Sequence, residues 1–86
     1  QNYPNPFNPV TQIEYGLPVA SHVHLAIYDL LGREVVTLVD GIQEAGYRSV
    51  SWHGMNRSGN GVGAGMYFYV IQAGDFRQVK KMILLK

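Results

Sequence analysis

Apolar and polar side chains alternate along most of this chain, with a period of two residues. Ile13, Tyr15 and Leu17 share one face of a first predicted strand, which Pro18 ends. Such alternation predicts β-strands, because successive side chains of a strand point to opposite faces of the sheet. The predicted strands span residues 10–17, 22–28, 35–40, 47–52, 66–73 and 76–85.

Turn residues lie between these segments. Asp29-Leu30-Leu31-Gly32 has the composition of a hairpin turn, with Gly32 at a position of positive φ, and Gly74-Asp75 is a two-residue hairpin signal. Residues 53–65 form a polar, glycine-rich loop. Strands at intervals of roughly ten residues, with no sustained period of 3.6, predict an all-β sandwich or barrel.

The predicted strand over residues 66–73 is apolar on both faces, one of which carries Tyr67, Tyr69 and Ile71. An exposed edge of this composition would aggregate, so we expect a central strand whose outer face is partly covered. The strand that follows it is rich in cations, which commonly protect the edge of a sheet. These cations are Arg77, Lys80, Lys81 and Lys86.

The first nine residues, QNYPNPFNP, differ from the rest of the chain. Their prolines fix φ and bias each preceding residue toward extended geometry, which predicts an extended segment without helix. Tyr3 and Phe7 are its only anchors. We therefore predict a Pro/Asn-rich N-terminal segment or linker over residues 1–9, followed by a β-sandwich over residues 10–86.

Composition limits the range of functions. The chain has 86 residues, enough for one small domain, and it begins at Gln1, so we expect it to be part of a longer protein. It has no cysteine, which excludes disulfides and thiolate metal sites. The net charge of +1 argues against general nucleic-acid binding. The longest apolar run, residues 66–71, is far too short to span a membrane.

The residues that could carry chemistry are sparse. The six acids are scattered, so no acid–base pair is predicted, and there is neither a thiol nor a Gly-x-Ser-x-Gly nucleophile. His22 and His24 would point to the same side of a strand, with His53 as a third ligand, yet no carboxylate is placed to orient them. The glycine run over residues 59–65 leads into a strand, whereas a phosphate site needs a helix N-terminus. We predict no catalysis, no metal and no cofactor.

Separate segments match one family in order along the whole chain. The matching residues are Pro4, Asn5, Pro6, Phe7, Asn8, Pro9, Asp29, Gly32, Trp52, Gly54, Gly65 and Tyr67, followed by the ending KKMILLK. With them the chain resembles the type A C-terminal sorting domains of the type IX secretion system. It is also similar to the immunoglobulin-like domain of flagellar hook-capping proteins.

The resemblance implies an immunoglobulin-like antiparallel β-sandwich of about six to seven strands. It also implies a non-catalytic C-terminal secretion signal on a larger exported protein of Bacteroidetes-type bacteria. The outer-membrane type IX translocon would recognise the folded domain, and a surface sortase commonly removes it. The precursor would pass through the periplasm to the cell surface or the medium, with a cargo domain preceding this one.

We hypothesise that the translocon recognises the terminal strand, whose edge would be available for pairing with a receptor. The predicted recognition residues are Lys80, Lys81, Met82, Ile83, Leu84, Leu85 and Lys86. The chain departs from the family pattern at His53, where Asp is usual, and at Asn56, where Asp is frequent. Asn56 can still cap the backbone of the long loop, whereas His53 does so less well.

Three alternatives stay open. The domain could be a structural accessory module that docks on its own enzyme and covers the face formed by Tyr67, Tyr69 and Ile71. It could also be a carbohydrate-binding module of an extracellular hydrolase, using exposed aromatic side chains. A hook-capping-like scaffold is the third, although the PNPFNP opening and the basic terminus fit the sorting family better. Any self-association would be weak.

Overall fold

A computed structural model of the protein describes residues 1–85, and within them every regular element is a β-strand. None of the described residues forms a helix that is long and apolar enough to cross a membrane. The strands are β1 (Asn2–Tyr3), β2 (Thr11–Leu17), β3 (Ser21–Asp29), β4 (Glu34–Gln43), β5 (Gly46–Trp52), β6 (Gly65–Ala73) and β7 (Phe76–Leu84).

The strands form two antiparallel sheets that pack face to face as a sandwich. One sheet has the order β1-β2-β5, and the other has the order β4-β3-β6-β7. All six strands predicted from the pattern are present, β6 is central and β7 lies at an edge, as predicted. The two-residue strand β1 was not predicted.

The core lies between the sheets and takes alternate side chains from each strand. Ile13 and Leu17 of β2 are buried there, on the apolar face predicted for that strand, together with Val23, Leu25 and Ile27 of β3. Full burial of one such aliphatic side chain contributes about 1.5–3 kcal/mol to folding, so this cluster is the main source of stability. The other members of the buried cluster are Phe7, Trp52, Tyr67, Tyr69, Ile71, Ala73, Met82 and Leu84.

The inward face of β6 contradicts the predicted docking face. Tyr67, Tyr69 and Ile71 are at most 8% exposed, because they point between the sheets. That prediction is therefore wrong, since these side chains cannot contact a partner of the folded domain. The outward face of β6 carries Phe68 and Val70, which are half-buried.

Residues 1–9 pack onto the sandwich. β1 pairs with β2, and the Phe7 side chain is buried in the core, while Tyr3 is exposed. The segment is extended and without helix, as predicted, and its three X-Pro peptide bonds are cis. The segment is therefore attached to the sandwich, and of its two predicted anchors Phe7 is buried and Tyr3 is not.

Candidate recognition surface

The exposed part of the predicted recognition surface is small. Lys80 and Lys81 of β7 are exposed, and so is Leu85 directly after the strand. Among residues 1–85, neither lysine forms an ion pair. Two solvated ammonium groups on an edge strand favour a partner with negative charge.

The other predicted recognition residues have different positions. Met82 and Leu84 are buried, and Ile83 is half-buried, because alternate side chains at the end of β7 point into the core. The prediction is therefore wrong for Met82 and Leu84 as contact residues, and these two side chains instead anchor β7. Lys86 lies outside the described residues.

The N-terminal segment covers the last part of the β7 edge. The Phe7 N–H donates to the Ile83 carbonyl at 3.0 Å, and the Leu85 N–H donates to the Phe7 carbonyl at 2.7 Å, which makes a parallel bridge. The terminal edge is therefore not available for strand addition over residues 83–85, contrary to the prediction. In the described part of the chain, no strand pairs with the outer edge of β7 over residues 76–80.

Asn5 extends this cover with its side chain. Its Oδ1 accepts a hydrogen bond from the Ile83 N–H at 3.0 Å, and its Nδ2 donates to the Lys81 carbonyl at 3.1 Å. A carboxamide that accepts and donates in this way takes the place of a peptide group in a neighbouring strand. We call the contact between residues 5–7 and residues 81–85 the terminal clasp.

An aromatic row in the core fixes the position of the terminal clasp. The ring centroids of Phe7 and Trp52 are 5.6 Å apart, and those of Trp52 and Tyr67 are 5.2 Å apart in an edge-to-face arrangement. Such pairs are favourable beyond their burial. Gly54 has a φ of +70°, and a Cβ there would lie 3.2 Å from the Pro9 carbonyl oxygen. Glycine is therefore required at this position by its conformation and by the close approach of the segment.

Thr11 joins the beginning of the segment to β2. Its side chain is fully buried, and its hydroxyl donates to the Pro4 carbonyl at 2.7 Å and accepts from Asn2 Nδ2 at 3.2 Å. The Asn5 Nδ2 also lies 3.4 Å from Asn2 Oδ1. The buried hydroxyl is thus satisfied, as buried polar groups generally are, and Asn2, Asn5 and Thr11 form a hydrogen-bonded network.

Asp29 and Asn56 begin two turns with the same hydrogen bonds. In each turn the side-chain Oδ1 accepts from the backbone N–H groups two and four residues later, at 2.9–3.1 Å. The glycine three residues later has a φ of +83° at Gly32 and +81° at Gly59. These contacts confirm the predicted turn at Asp29 and the predicted cap by Asn56. Hydrogen bonds from the backbone and side chain of Arg33 hold the pKa of Asp29 below its ordinary value.

The long loop between β5 and β6 is attached to β4 and to β6. Arg57 forms an ion pair with Glu34 at the start of β4, with 3.1 Å between nitrogen and oxygen. The Tyr67 hydroxyl donates to the Gly63 carbonyl at 2.6 Å. His53, which stands where the family usually has Asp, is exposed. The backbone N–H groups of this loop are capped by Asn56 instead.

Histidine and acidic side chains do not gather into a metal centre in the described part of the chain. His22 Nε2 lies 3.2 Å from Asp40 Oδ1, and both side chains are exposed. Within residues 1–85, no group of three or more His, Asp or Glu side chains could hold a metal ion. His22 and His24 lie on the outer face of the four-stranded sheet, far along the chain from the His53 loop.

The roles of Asn5 and Thr11 are not visible in the sequence pattern. An Asn-Pro pair ordinarily indicates a turn, and nothing in the pattern says that the Asn5 carboxamide pairs with a strand near the other end of the chain. Phe7 is the residue from which the packing of this segment could be predicted, because a large apolar residue among prolines and asparagines indicates a segment that packs on a core.

Antiparallel strands in two sheets, packed over a core of alternating side chains, define an immunoglobulin-like β-sandwich. The chain belongs to the FlgD Ig-like domain family, whose sequence profile matches residues 10–75. The match excludes residues 1–9 and all of β7, so both partners of the terminal clasp lie outside the matched region.

Two kinds of protein are among the solved structures that share this fold. The chain is similar to the dimeric latent PorU of Porphyromonas gingivalis, with 22% identity and a TM-score of 0.76 over 99% of this chain and 9% of that one. It is similar to FlgD of P. aeruginosa, with 29% identity and a TM-score of 0.67 over 86% of this chain and 57% of that one. PorZ, an essential surface component of the type IX secretion system of P. gingivalis, gives 20% identity and a TM-score of 0.70 over 100% of this chain and 11% of that one.

These similarities define the fold. This chain spans between 9% and 57% of the length of those three structures. No curated protein sequence matches it significantly.

Proposed function

We propose that this chain is a non-catalytic sorting domain, the C-terminal secretion signal of a larger exported protein that passes through the type IX outer-membrane translocon. Its resemblance to the sorting family along the whole chain supports this, as does the fold that it shares with PorZ, a surface component of that system. The terminal clasp is the structural observation that supports this proposal most directly. It joins two segments outside the FlgD match, and the opening motif of the sorting family supplies one of them.

A terminal signal benefits from a fixed shape, because a disordered segment would lose conformational entropy when a receptor binds it. The terminal clasp holds the end of β7 against the core and leaves Lys80 and Lys81 exposed. We propose these lysines, with Leu85 and Lys86, as the contact residues for translocon components. A surface sortase would act afterwards, and the protein would move from the periplasm to the cell surface or the medium.

The test is a secretion assay with charge-reversed variants. A reporter with its own signal peptide is fused before Gln1 and expressed in a bacterium that has a type IX secretion system. Lys80→Glu and Lys81→Glu, singly and together, are compared with Arg77→Glu, which makes the same charge change at the start of β7. We expect the double variant to leave most of the reporter in the periplasm and Arg77→Glu to deliver it normally.

Thermal melting of each purified domain distinguishes a loss of recognition from a loss of folding. The three substituted side chains are exposed, so the substitutions should leave the melting temperature nearly unchanged. Normal surface delivery of the folded double variant would show that the lysines are not the contact residues. Normal delivery of a reporter that lacks the whole domain would overturn the sorting function itself. Point variants are preferable to a deletion of residues 83–86, because that deletion removes Leu84 from the core.

A second candidate function, carbohydrate binding, is favoured by one observation. Tyr3 and Tyr47 are exposed on the outer face of the three-stranded sheet, and Tyr47 is 97% exposed. Exposed tyrosines on a polar sheet face can stack on sugar rings. Affinity-gel electrophoresis of the unaltered chain and of Tyr47→Ala tests this. If no polysaccharide in the gel slows the unaltered chain, the carbohydrate-binding function is excluded.

A further inference from the structure

The outer face of the four-stranded sheet carries ordered rows of side chains, one from each strand. Lys81 of β7 lies beside Phe68 of β6, Phe68 beside Tyr28 of β3, and Tyr28 beside Glu34 of β4. Residues that are register partners in an antiparallel pair share a face. This row therefore runs from a cation at one edge, across two aromatic rings, to an anion at the other edge.

A second row repeats the same order of charge. Arg77 of β7 lies beside Gln72 of β6, Gln72 beside His24 of β3, and His24 beside Asp40 of β4. Both cations are thus on the β7 side of the face and both anions on the β4 side. The face has a positive edge and a negative edge, separated by three strand spacings of about 4.8 Å each.

Between these rows the face is apolar. Val79 of β7 is 47% exposed, and it lies beside the half-buried Val70 of β6. Together with Phe68 and Tyr28 of the first row, these residues form a contiguous apolar strip that runs from β7 to β3 and lines a shallow groove. A contiguous apolar strip bordered by charges is typical of a surface that contacts another protein.

We propose that this face binds a second copy of this chain, related to the first by a two-fold axis parallel to the strands. Such an axis reverses the order of the strands across the face. It places Lys81 and Arg77 of one copy opposite Glu34 and Asp40 of the other, and it does so twice. Phe68 of one copy then lies opposite Tyr28 of the other, and Val70 opposite Ala26, so the contact is self-complementary in charge and, at its centre, in apolar surface.

The same geometry excludes the rotation about an axis perpendicular to the strands, which would place β7 against β7 and its cations against each other. Glu34 already forms a solvent-exposed ion pair with Arg57, and Asp40 Oδ1 lies 3.2 Å from Nε2 of the exposed His22. Exposed ion pairs contribute little, so either carboxylate can accept a second cation from the other copy.

The contact is small, which sets the strength of the dimer. The face spans roughly 15 Å across the strands and 20 Å along them. The area that two copies bury would fall below about 1,200 Å², the lower limit of stable protein interfaces. The dimer should therefore be weak, and visible only at high protein concentration.

Sedimentation equilibrium of the isolated 86-residue domain over a wide concentration range, at low and high salt, tests the proposal. We expect a reversible monomer–dimer equilibrium. The pair Arg77→Glu and Lys81→Glu should weaken it at least about tenfold, and so should the pair Glu34→Lys and Asp40→Lys, because like charges then face each other. A mixture of the two double variants should associate as a heterodimer at least as strongly as the unaltered chain.

The decisive control is Glu14→Lys on the exposed polar face of the other sheet, which should leave the equilibrium unchanged. Melting curves confirm that each double variant is folded. A domain that stays monomeric at the highest concentration would overturn the proposal, and so would association that both double variants retain. Two double variants that each stay monomeric and do not associate with each other would exclude the arrangement of charges that defines the dimer. These readouts are independent of secretion, so the sorting proposal stands or falls separately.

Discussion

Asn5 and Ile83 lie 78 positions apart in the chain and are joined by a hydrogen bond of 3.0 Å, from the Ile83 N–H to Asn5 Oδ1. The other end of the same carboxamide donates to the Lys81 carbonyl at 3.1 Å. One side chain therefore satisfies two backbone groups of an edge strand that would otherwise depend on solvent. This gives a physical reason for an asparagine between two prolines.

Asn5→Ala should lower the free energy of unfolding by about 1–3 kcal/mol, because it removes two hydrogen bonds of net value about 0.5–1.5 kcal/mol each. Urea denaturation measures the loss, and amide exchange at Ile83 should become faster. The matched control is Asn8→Ala, at an exposed asparagine of the same motif, with an expected change within about 0.5 kcal/mol. Equal losses at the two positions would contradict the role given to the Asn5 carboxamide.

Gly54→Ala should destabilise the domain by about 1–3 kcal/mol, because an alanine is strained at a φ of +70°. The new Cβ would also press against the Pro9 carbonyl oxygen and disturb the terminal clasp. Gly63→Ala provides the comparison, since its Cβ would meet open space and its φ lies outside the left-handed region. Chemical denaturation of both variants should separate them clearly, and a harmless Gly54→Ala would show that the segment can move away from this glycine.

Two tyrosines of β6 should respond to loss of the hydroxyl in opposite directions. The Tyr69 hydroxyl is buried without a hydrogen-bond partner among the described residues, whereas the Tyr67 hydroxyl donates to the Gly63 carbonyl. Tyr69→Phe should therefore raise the free energy of unfolding by about 1 kcal/mol, and Tyr67→Phe should lower it by about 0.5–1.5 kcal/mol. Parallel thermal and urea denaturation compares them, and a loss at Tyr69→Phe would indicate a partner for that hydroxyl.

Stability should fall in acid partly through Asp29. Hydrogen bonds from Arg33 lower the pKa of Asp29 in the folded state, so the ionised carboxylate stabilises the fold. This contribution is complete above the unfolded-state pKa of about 3.9 and is lost as the pH falls through the lower folded-state pKa. Asp29→Asn keeps the side-chain acceptor, as Asn56 does in its own turn, but does not titrate.

Melting temperatures between pH 7 and pH 2 test this prediction. The curve of Asp29→Asn should be flatter than that of the unaltered chain in the acid range below about pH 4. Glu14→Gln, at an exposed position of β2, serves as the control and should leave the shape of the curve unchanged. If Asp29→Asn and the unaltered chain lose stability in parallel, the turn gains nothing from the ionised carboxylate.

Alternation along the sequence predicts most of the fold. The inward faces of β2 and β3 follow directly from the apolar period, and the central position of β6 follows from its two apolar faces. Because both faces of β6 are apolar, the sequence does not show which face points inward. Tyr69 and Phe68 are equally apolar, and only the position of the second sheet decides which of them is buried. The predicted docking face failed for this reason.

Much of the candidate site depends on contacts between distant parts of the chain, and local patterns do not encode these. Prolines and asparagines identify residues 1–9 as extended, yet they do not say that Asn5 and Phe7 pair with the end of β7. The exposed lysines of β7 were predicted because charge on an edge strand has a local signature. The availability of that edge was predicted wrongly, because it depends on which other segment lies beside it.

The parallel direction of the terminal clasp has a mechanical consequence. Residues 5–7 and the end of β7 run the same way, so a pull on the chain before Gln1 and an opposite pull on the chain after Leu85 slide the two segments past each other. The load is then shared among the hydrogen bonds of Asn5 and Phe7 at once, and they do not open one by one. A domain pulled in opposite directions at its two ends would resist unfolding most strongly along this line.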